Sequence, residues 1–172
     1  MKKNNSLISL IKINKKSLED VLDLLDKIEN ETYCKSLKII DDNSIAMHFR
    51  HIHDFWNCFL KGIKSKKINY NLRQRNQVFE NDKNKMKTAF NLIIDHFNNI
   101  KFDDLIIEDD LIAPNNNISI NSNTNRELIF LYEHTIHHIY IIRMVMNSLN
   151  IKIKNEFIGY NLSTIKNIKC VS

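Results

Sequence analysis

The sequence predicts an all-α fold: one domain, residues 1–172, in which four long helices pack as a bundle, with a small β-hairpin or extended insertion ahead of the last helix. Three observations carry that expectation. Two glycines and one proline in 172 residues leave few backbone breakers, which favours long uninterrupted helices over a turn-rich β architecture. Apolar residues recur at helical spacing in four separate segments, the pattern of amphipathic helices around a common core. Six of the seven histidines fall in two short runs, each inside one of those segments, which suggests a site shared between two helices. A content of 43% hydrophobic and 26% charged residues is that of an ordinary globular domain long enough to bury a core.

The first helix is expected over about 17–34. Ser17 suits an N-cap, Glu19 and Asp20 suit the positive end of the helix dipole, and Val21, Leu22, Leu24, Leu25 and Ile28 repeat with the helical period. A second helix, about 44–64, carries Ile45, His48, Ile52, Phe55, Trp56, Phe59 and Leu60 before Gly62 and the lysines around it weaken the pattern. On it His48, His51, Ile52 and Phe55 share one face, and His53 points to nearly the opposite side. Residues 68–76 read as a connector dense in functional groups, with Tyr70, Arg73 and Arg75. The third helix, about 80–98, has Met86, Phe90, Ile93, Ile94 and Phe97 as its apolar stripe. The period then changes: short apolar pairs over 103–113 and the alternation Ile118-Ser119-Ile120, on either side of Pro114-Asn115-Asn116-Asn117, predict the hairpin. The fourth helix, about 125–148, follows an N-cap within 122–124 and is apolar on nearly all sides, as a buried helix is. The tail from Ile151 has no long periodicity and is expected to pack across the bundle.

Several function classes are argued against by composition. The formal charge of +5 comes from Lys and Arg scattered along the chain rather than gathered into a stripe, which speaks against nucleic-acid binding. Cys34, Cys58 and Cys170 are widely spaced with no CxxC, so neither a disulfide framework nor a thiolate zinc site is indicated, and a reducing cytoplasm is the simplest home. Met1-Lys2-Lys3-Asn4-Asn5 begins like a charged leader, but Ser6 to Ile13 is too short and too polar-flanked to continue one. No apolar run reaches about 18 residues without charge, so no membrane span is expected.

The histidines carry the chemistry. In Glu133-His134-Thr135-Ile136-His137-His138, His134 and His138 stand one turn apart, about 40° around the axis, so both imidazoles can address one cation. A third ligand is available from the upstream cluster His48-Phe49-Arg50-His51-Ile52-His53, where His48 or His51 faces the bundle. Three protein ligands and one open position is the usual arrangement of a catalytic zinc-type site. The plainer reading is that these are hydrogen-bonded core histidines. Each buried imidazole left without a partner costs about 1–3 kcal/mol, however, and one shared cation relieves several at once.

Other candidates admit two readings as well. Trp56 and Phe55 could line a pocket, though aromatics at helical spacing are mostly core. Arg73 and Arg75 beside Tyr70 suit an anionic substrate, or a solvated, salt-bridged loop. Glu127, seven residues before His134 on the same face, could orient a ligand or accept a proton, or simply be a first-turn acid favoured by the dipole. Cys58 lies too far along the helix from His48 to be a good nucleophile.

Taken with their order, these segments resemble the DinB-like (DinB/YfiT-type) family of metalloenzymes. Ser44-Ile45-Ala46-Met47-His48-Phe49-Arg50-His51-Ile52-His53-Asp54-Phe55 resembles the family's helix-two pattern, a small-residue turn into His-x-x-His and an acidic residue. Ile68-Asn69-Tyr70-Asn71-Leu72-Arg73-Gln74-Arg75-Asn76 is similar to a Tyr-Asp-x-Arg-x-Arg-Asp connector of one branch. Arg126-Glu127-Leu128 with His134-Thr135-Ile136-His137-His138 resembles the fourth-helix signature, and Glu156-Phe157-Ile158-Gly159 with Ser163-Thr164 looks like that branch's ending.

The resemblance implies a four-helix bundle of DinB/YfiT type, commonly a homodimer. It implies a divalent metal, zinc or nickel, held by His48, His134 and His138 with His51 and His137 as near neighbours. The activity it implies is activation of a low-molecular-weight thiol or water against a small-molecule substrate. Asn71 and Asn76 depart from the branch's Asp. A non-catalytic metal-binding or structural bundle of stress-response type is the competing class; no membrane is expected, and a DNA-associated role, suggested only by the family's name and the +5 charge, is the least favoured reading.

Overall fold

Helix α1 spans Lys2–Lys27 and α2 spans Asn30–Cys34; α3 is Ile45–Ser65, α4 Val78–Asn81, α5 Lys83–Asp95, α6 Thr124–Ser148 and α7 Leu162–Val171. The computed structural model describes residues 2–112 and 118–171. The long helices α1 and α3 each pack against both α5 and α6, so four helices enclose one apolar core. Its centre is Leu18, Val21, Leu25 and Ile28 of α1, Phe49, Trp56 and Phe59 of α3, Phe90 of α5 and Leu128, Leu131, Ile139 and Ile142 of α6, all fully buried.

The all-α expectation is corrected by five strands among the described residues, arranged in two sheets. β1 (Ser36–Leu37) and β2 (Asn43–Ser44) pair antiparallel ahead of α3. β4 (Asp104–Asp109) and β5 (Ile118–Asn123) pair antiparallel with Leu105 opposite Ser122 and Ile107 opposite Ile120. The expected extended insertion is thus one part of something larger, because β3 (Lys67–Ile68) adds to β4 in parallel and makes a mixed three-stranded sheet. The predicted turn at 114–117 lies outside the described residues. Gly62 explains how β3 gets so close to α3: a Cβ at that position would stand 2.5 Å from Ile68 Cγ1 and 2.8 Å from the Lys67 carbonyl oxygen.

Local signals account for the helix ends. Ser44 Oγ accepts from the Met47 amide at 3.3 Å to start α3, and Asn123 Oδ1 accepts from the Arg126 amide at 3.0 Å to start α6. Asp82 takes an extended conformation and accepts from the amides of Asn84 and Lys85 at 3.0 and 3.1 Å, which splits the helix expected over 80–98 into α4 and α5. Ser17 is no cap. It lies inside α1, buried, with its hydroxyl donating to the Asn14 carbonyl at 2.8 Å. Upstream Leu7, Leu10 and Ile11 continue the apolar stripe that makes the earlier turns helical. The tail forms α7, after Gly159 at φ +80 lets the chain run against the Tyr140 backbone. Among the described residues no helix is long and apolar enough to cross a membrane.

Candidate metal centre

Register between α3 and α6 is set by a buried polar contact. Trp56 Nε1 donates to Thr135 Oγ1 at 3.1 Å, with both side chains fully buried. Because both groups are buried, breaking the pair would leave each without a partner at a desolvation cost. It fixes the helix turn that bears His51 against the turn that bears His134 and His138.

One ligand atom from each of His51, His134 and His138 lies within 4.8 Å of the others. Their ring centroids are 5.0 Å (His51 to His134), 4.6 Å (His51 to His138) and 4.7 Å (His134 to His138) apart. His48 stands at the edge of this group, its Nδ1 3.1 Å from Nδ1 of His138. That contact admits one shared proton, and it equally matches the ~3.3 Å between two nitrogens bound tetrahedrally to one cation. So of the two α3 candidates it is His51 that stands within the cluster, and His48 reaches only its His138 corner. His137 is exposed, in a different cleft with Glu133, Tyr140 and Tyr160. His53 lies across the helix.

Burial lowers the proton affinity of every ring in the group. His51 and His134 are each pulled down to about 4, by desolvation first, with Arg73 adding to the effect on His51 and the His51 ring to that on His134. His138, the most deeply set, falls to about 2, through desolvation and then the other imidazoles. His48 is lowered too, by burial and His137. At neutral pH all four rings are therefore uncharged, with lone pairs available, which is the ligating form. His134 Nδ1 is buried and has no hydrogen-bond partner. A ring with an orphaned nitrogen, grouped with two other imidazoles, fits a metal ion bound through nitrogen.

Phe55, readable as core from its spacing, forms the wall of the centre. Its ring stacks on His134 at 4.0 Å and on Tyr70 at 5.3 Å. The guanidinium of Arg73 lies 4.7 Å above the same ring, donates from Nη1 to the Tyr70 carbonyl at 2.9 Å, and leaves Nε buried without a partner. Burial and the adjacent Arg75 both draw Arg73 below the ordinary arginine range; the group stays cationic. Arg75 itself is exposed.

Glu127 is fully buried one layer further from the histidines. It accepts from Tyr70 Oη at 2.9 Å, from Ser122 Oγ at 2.5 Å and from Arg126 Nη1 at 2.9 Å. Among the described residues none of its hydrogen bonds goes to a histidine, so it holds Tyr70, and Tyr70 holds Phe55. The Tyr70 hydroxyl is kept protonated by burial and by Glu127.

The connector's asparagines also have local reasons. Asn71 Nδ2 donates to Asp109 Oδ2 at 3.0 Å and Asn69 Nδ2 to Asp110 Oδ1 at 3.3 Å, so an Asp at position 71 would face a carboxylate. The Arg50, Asp54 and Glu80 network on the far side of α3 went unread in the sequence. The i,i+4 spacing of Arg50 and Asp54 was its visible signal. No family model, curated protein or solved structure matches this chain.

Proposed function

We propose that the chain is a metal-dependent enzyme in which His51, His134 and His138, with His48 beside them, hold one divalent cation, and that it works on a small anionic molecule by thiol transfer or hydrolysis. The single observation that carries this reading is the group of three imidazole nitrogens within 4.8 Å, one ring of which has a buried nitrogen with no partner. The resemblance to DinB-like metalloenzymes supports it and favours zinc or nickel. Held by these histidines, such a cation would supply Lewis acidity that lowers the pKa of a water or thiol toward neutrality.

The protein's own groups do the rest. Arg73 offers its unpartnered Nε–H to a carboxylate, thiolate or phosphate beside the histidines, and the exposed Arg75 adds positive potential near Arg73. Phe55 and Tyr70 exclude water from one side of the centre and hold the His134 ring at a fixed angle. Glu127 acts through Tyr70 as a positioning residue.

Elemental analysis of the purified protein, followed by calorimetric titration of zinc and of nickel into chelator-treated protein, is the test. One ion per chain is expected, and His134→Ala or His138→Ala should weaken binding by about 100-fold or more while far-ultraviolet circular dichroism stays unchanged. Protein that purifies without metal and takes up neither ion would remove the proposal. A loss of helicity in both variants would instead favour a purely structural role for the histidines.

A further inference from the structure

On the other side of α3 a second set of polar groups faces a cleft. His53 is two residues from His51, about 200° around the helix, so its ring points away from the metal centre. The cleft lies between α3 and α5, with Gln74, Asn76 and Phe79 closing one side, and has a volume of about 390 Å³, within the range of small-molecule sites. Its floor is apolar, made by Leu60, Phe79, Ala89 and Ile93. Along its α3 wall His53, Asn57, Lys61 and Lys64 recur every three or four residues, one continuous helix face.

The two ends of that face differ. At the inner end His53 is 8% exposed, lies edge-on to Phe79 and Phe90, and has Nδ1 3.3 Å from Asp54 Oδ1. In the tautomer that donates from Nδ1 to this carboxylate, Nε2 is the ring atom left to accept. No hydrogen bond reaches Nε2 among the described residues. Asp54 is 1% exposed and paired with Arg50 Nη1 at 2.6 Å, and Arg50 Nε pairs in turn with Glu80. This network, with the Tyr33 hydroxyl donating to the Phe79 carbonyl at 2.6 Å, fixes the Phe79 wall before any ligand arrives. At the outer end, Lys61 is engaged only by the neutral Gln74 at 2.9 Å, and no ion pair reaches Lys61 or Lys64 among the described residues. The cleft is therefore cationic at its mouth, apolar along its length and hydrogen-bond accepting at its base.

We propose that this cleft binds an elongated amphipathic organic acid, with its acid group on Lys61 and Lys64, its apolar body on Leu60, Phe79 and Ile93, and a hydroxyl at the far end donating to His53 Nε2. Lys61 lies eight residues beyond His53, about 12 Å along the helix, the span of a medium-length carbon chain. The site does not depend on the metal centre, which uses the opposite face of α3.

Calorimetric titration with ω-hydroxydecanoate is the direct probe, beside decanoate, which lacks the hydroxyl. Saturable binding of one molecule per chain is expected, with decanoate about tenfold weaker. The Lys61→Glu, Lys64→Glu double variant should lose binding; both lysines are exposed, so its fold is expected to survive and circular dichroism checks it. His53→Phe should erase the preference between the two acids. His134→Ala should bind ω-hydroxydecanoate like the unaltered chain. Absence of saturable binding, undiminished binding by the double variant, or loss of binding in His134→Ala would each overturn the proposal, the last by moving the acid to the histidine cluster.

Discussion

Burial turns imidazoles from ordinary titrating groups into neutral ones, and this decides how the centre responds to pH. An unfolded histidine titrates near 6.5, whereas His51 and His134 in the folded chain titrate at about 4 and His138 at about 2. Because the folded pKa values are depressed, lowering the pH protonates the unfolded chain first and so favours unfolding. The stability these rings confer is complete above about pH 6.5 and is lost as pH falls toward 4 for His51 and His134 and toward 2 for His138, by up to about 1.4 kcal/mol per pH unit for each group. Metal-free protein should therefore lose denaturant resistance steeply from pH 6.5 to 4, and His138→Gln should show a shallower slope by about one proton. Denaturant midpoints across that range measure it, and superimposable curves for the two proteins would contradict the burial argument. Zinc or nickel should steepen the loss, since protons and metal compete for the same lone pairs.

Between elements, the decisive contact is Trp56 on α3 with Thr135 on α6. Trp56→Phe keeps an aromatic ring in the core but strands the Thr135 hydroxyl, so a loss of about 1–3 kcal/mol is expected. Metal affinity should fall several-fold as well, because the turns carrying His51 and His134 lose their register. Restoring an apolar match with Thr135→Val in the same chain should recover stability more than affinity; equal recovery of both would show that the bond contributes no register. The pair also marks the limit of sequence reading at this scale. The i,i+4 spacing of His134 and His138, and the shared face of His48, His51 and Phe55, were visible from helical period alone. The choice between His48 and His51 was not, because one turn separates them and only a tertiary contact fixes which turn meets α6. The same holds for Phe55, whose spacing says buried but whose stacking on His134 needs the second helix in place.

Across the molecule, the helices hold the histidines while the small sheet holds the connector that brings Tyr70 and Arg73 to them. The long helices were legible because each repeats its apolar period over many residues, as α3 does from Ile45 to Phe59. The sheet was not. β1, β2 and β3 are two residues each, too short to display alternation, and β3 joins β4 through backbone hydrogen bonds that leave no mark on side-chain pattern. The early turns of α1 were missed for a different reason, since Ser17 mimics a cap yet bonds back to Asn14 within the helix. This division of labour is separable at Gly62, where the sheet meets α3. Gly62→Ala adds a methyl that the Lys67 carbonyl and Ile68 would have to vacate, so β3 must shift. Overpacking of about 1–3 kcal/mol is expected, partly offset by the ~1 kcal/mol better helix propensity of alanine. Amide exchange should quicken over 67–76 and 104–109 but not over 124–148, and metal affinity should stay within about 0.5 kcal/mol of the parent. If metal affinity instead falls in step with stability, the sheet and the histidine cluster are one cooperative unit, and Arg73 is positioned by the same contacts that hold the cation.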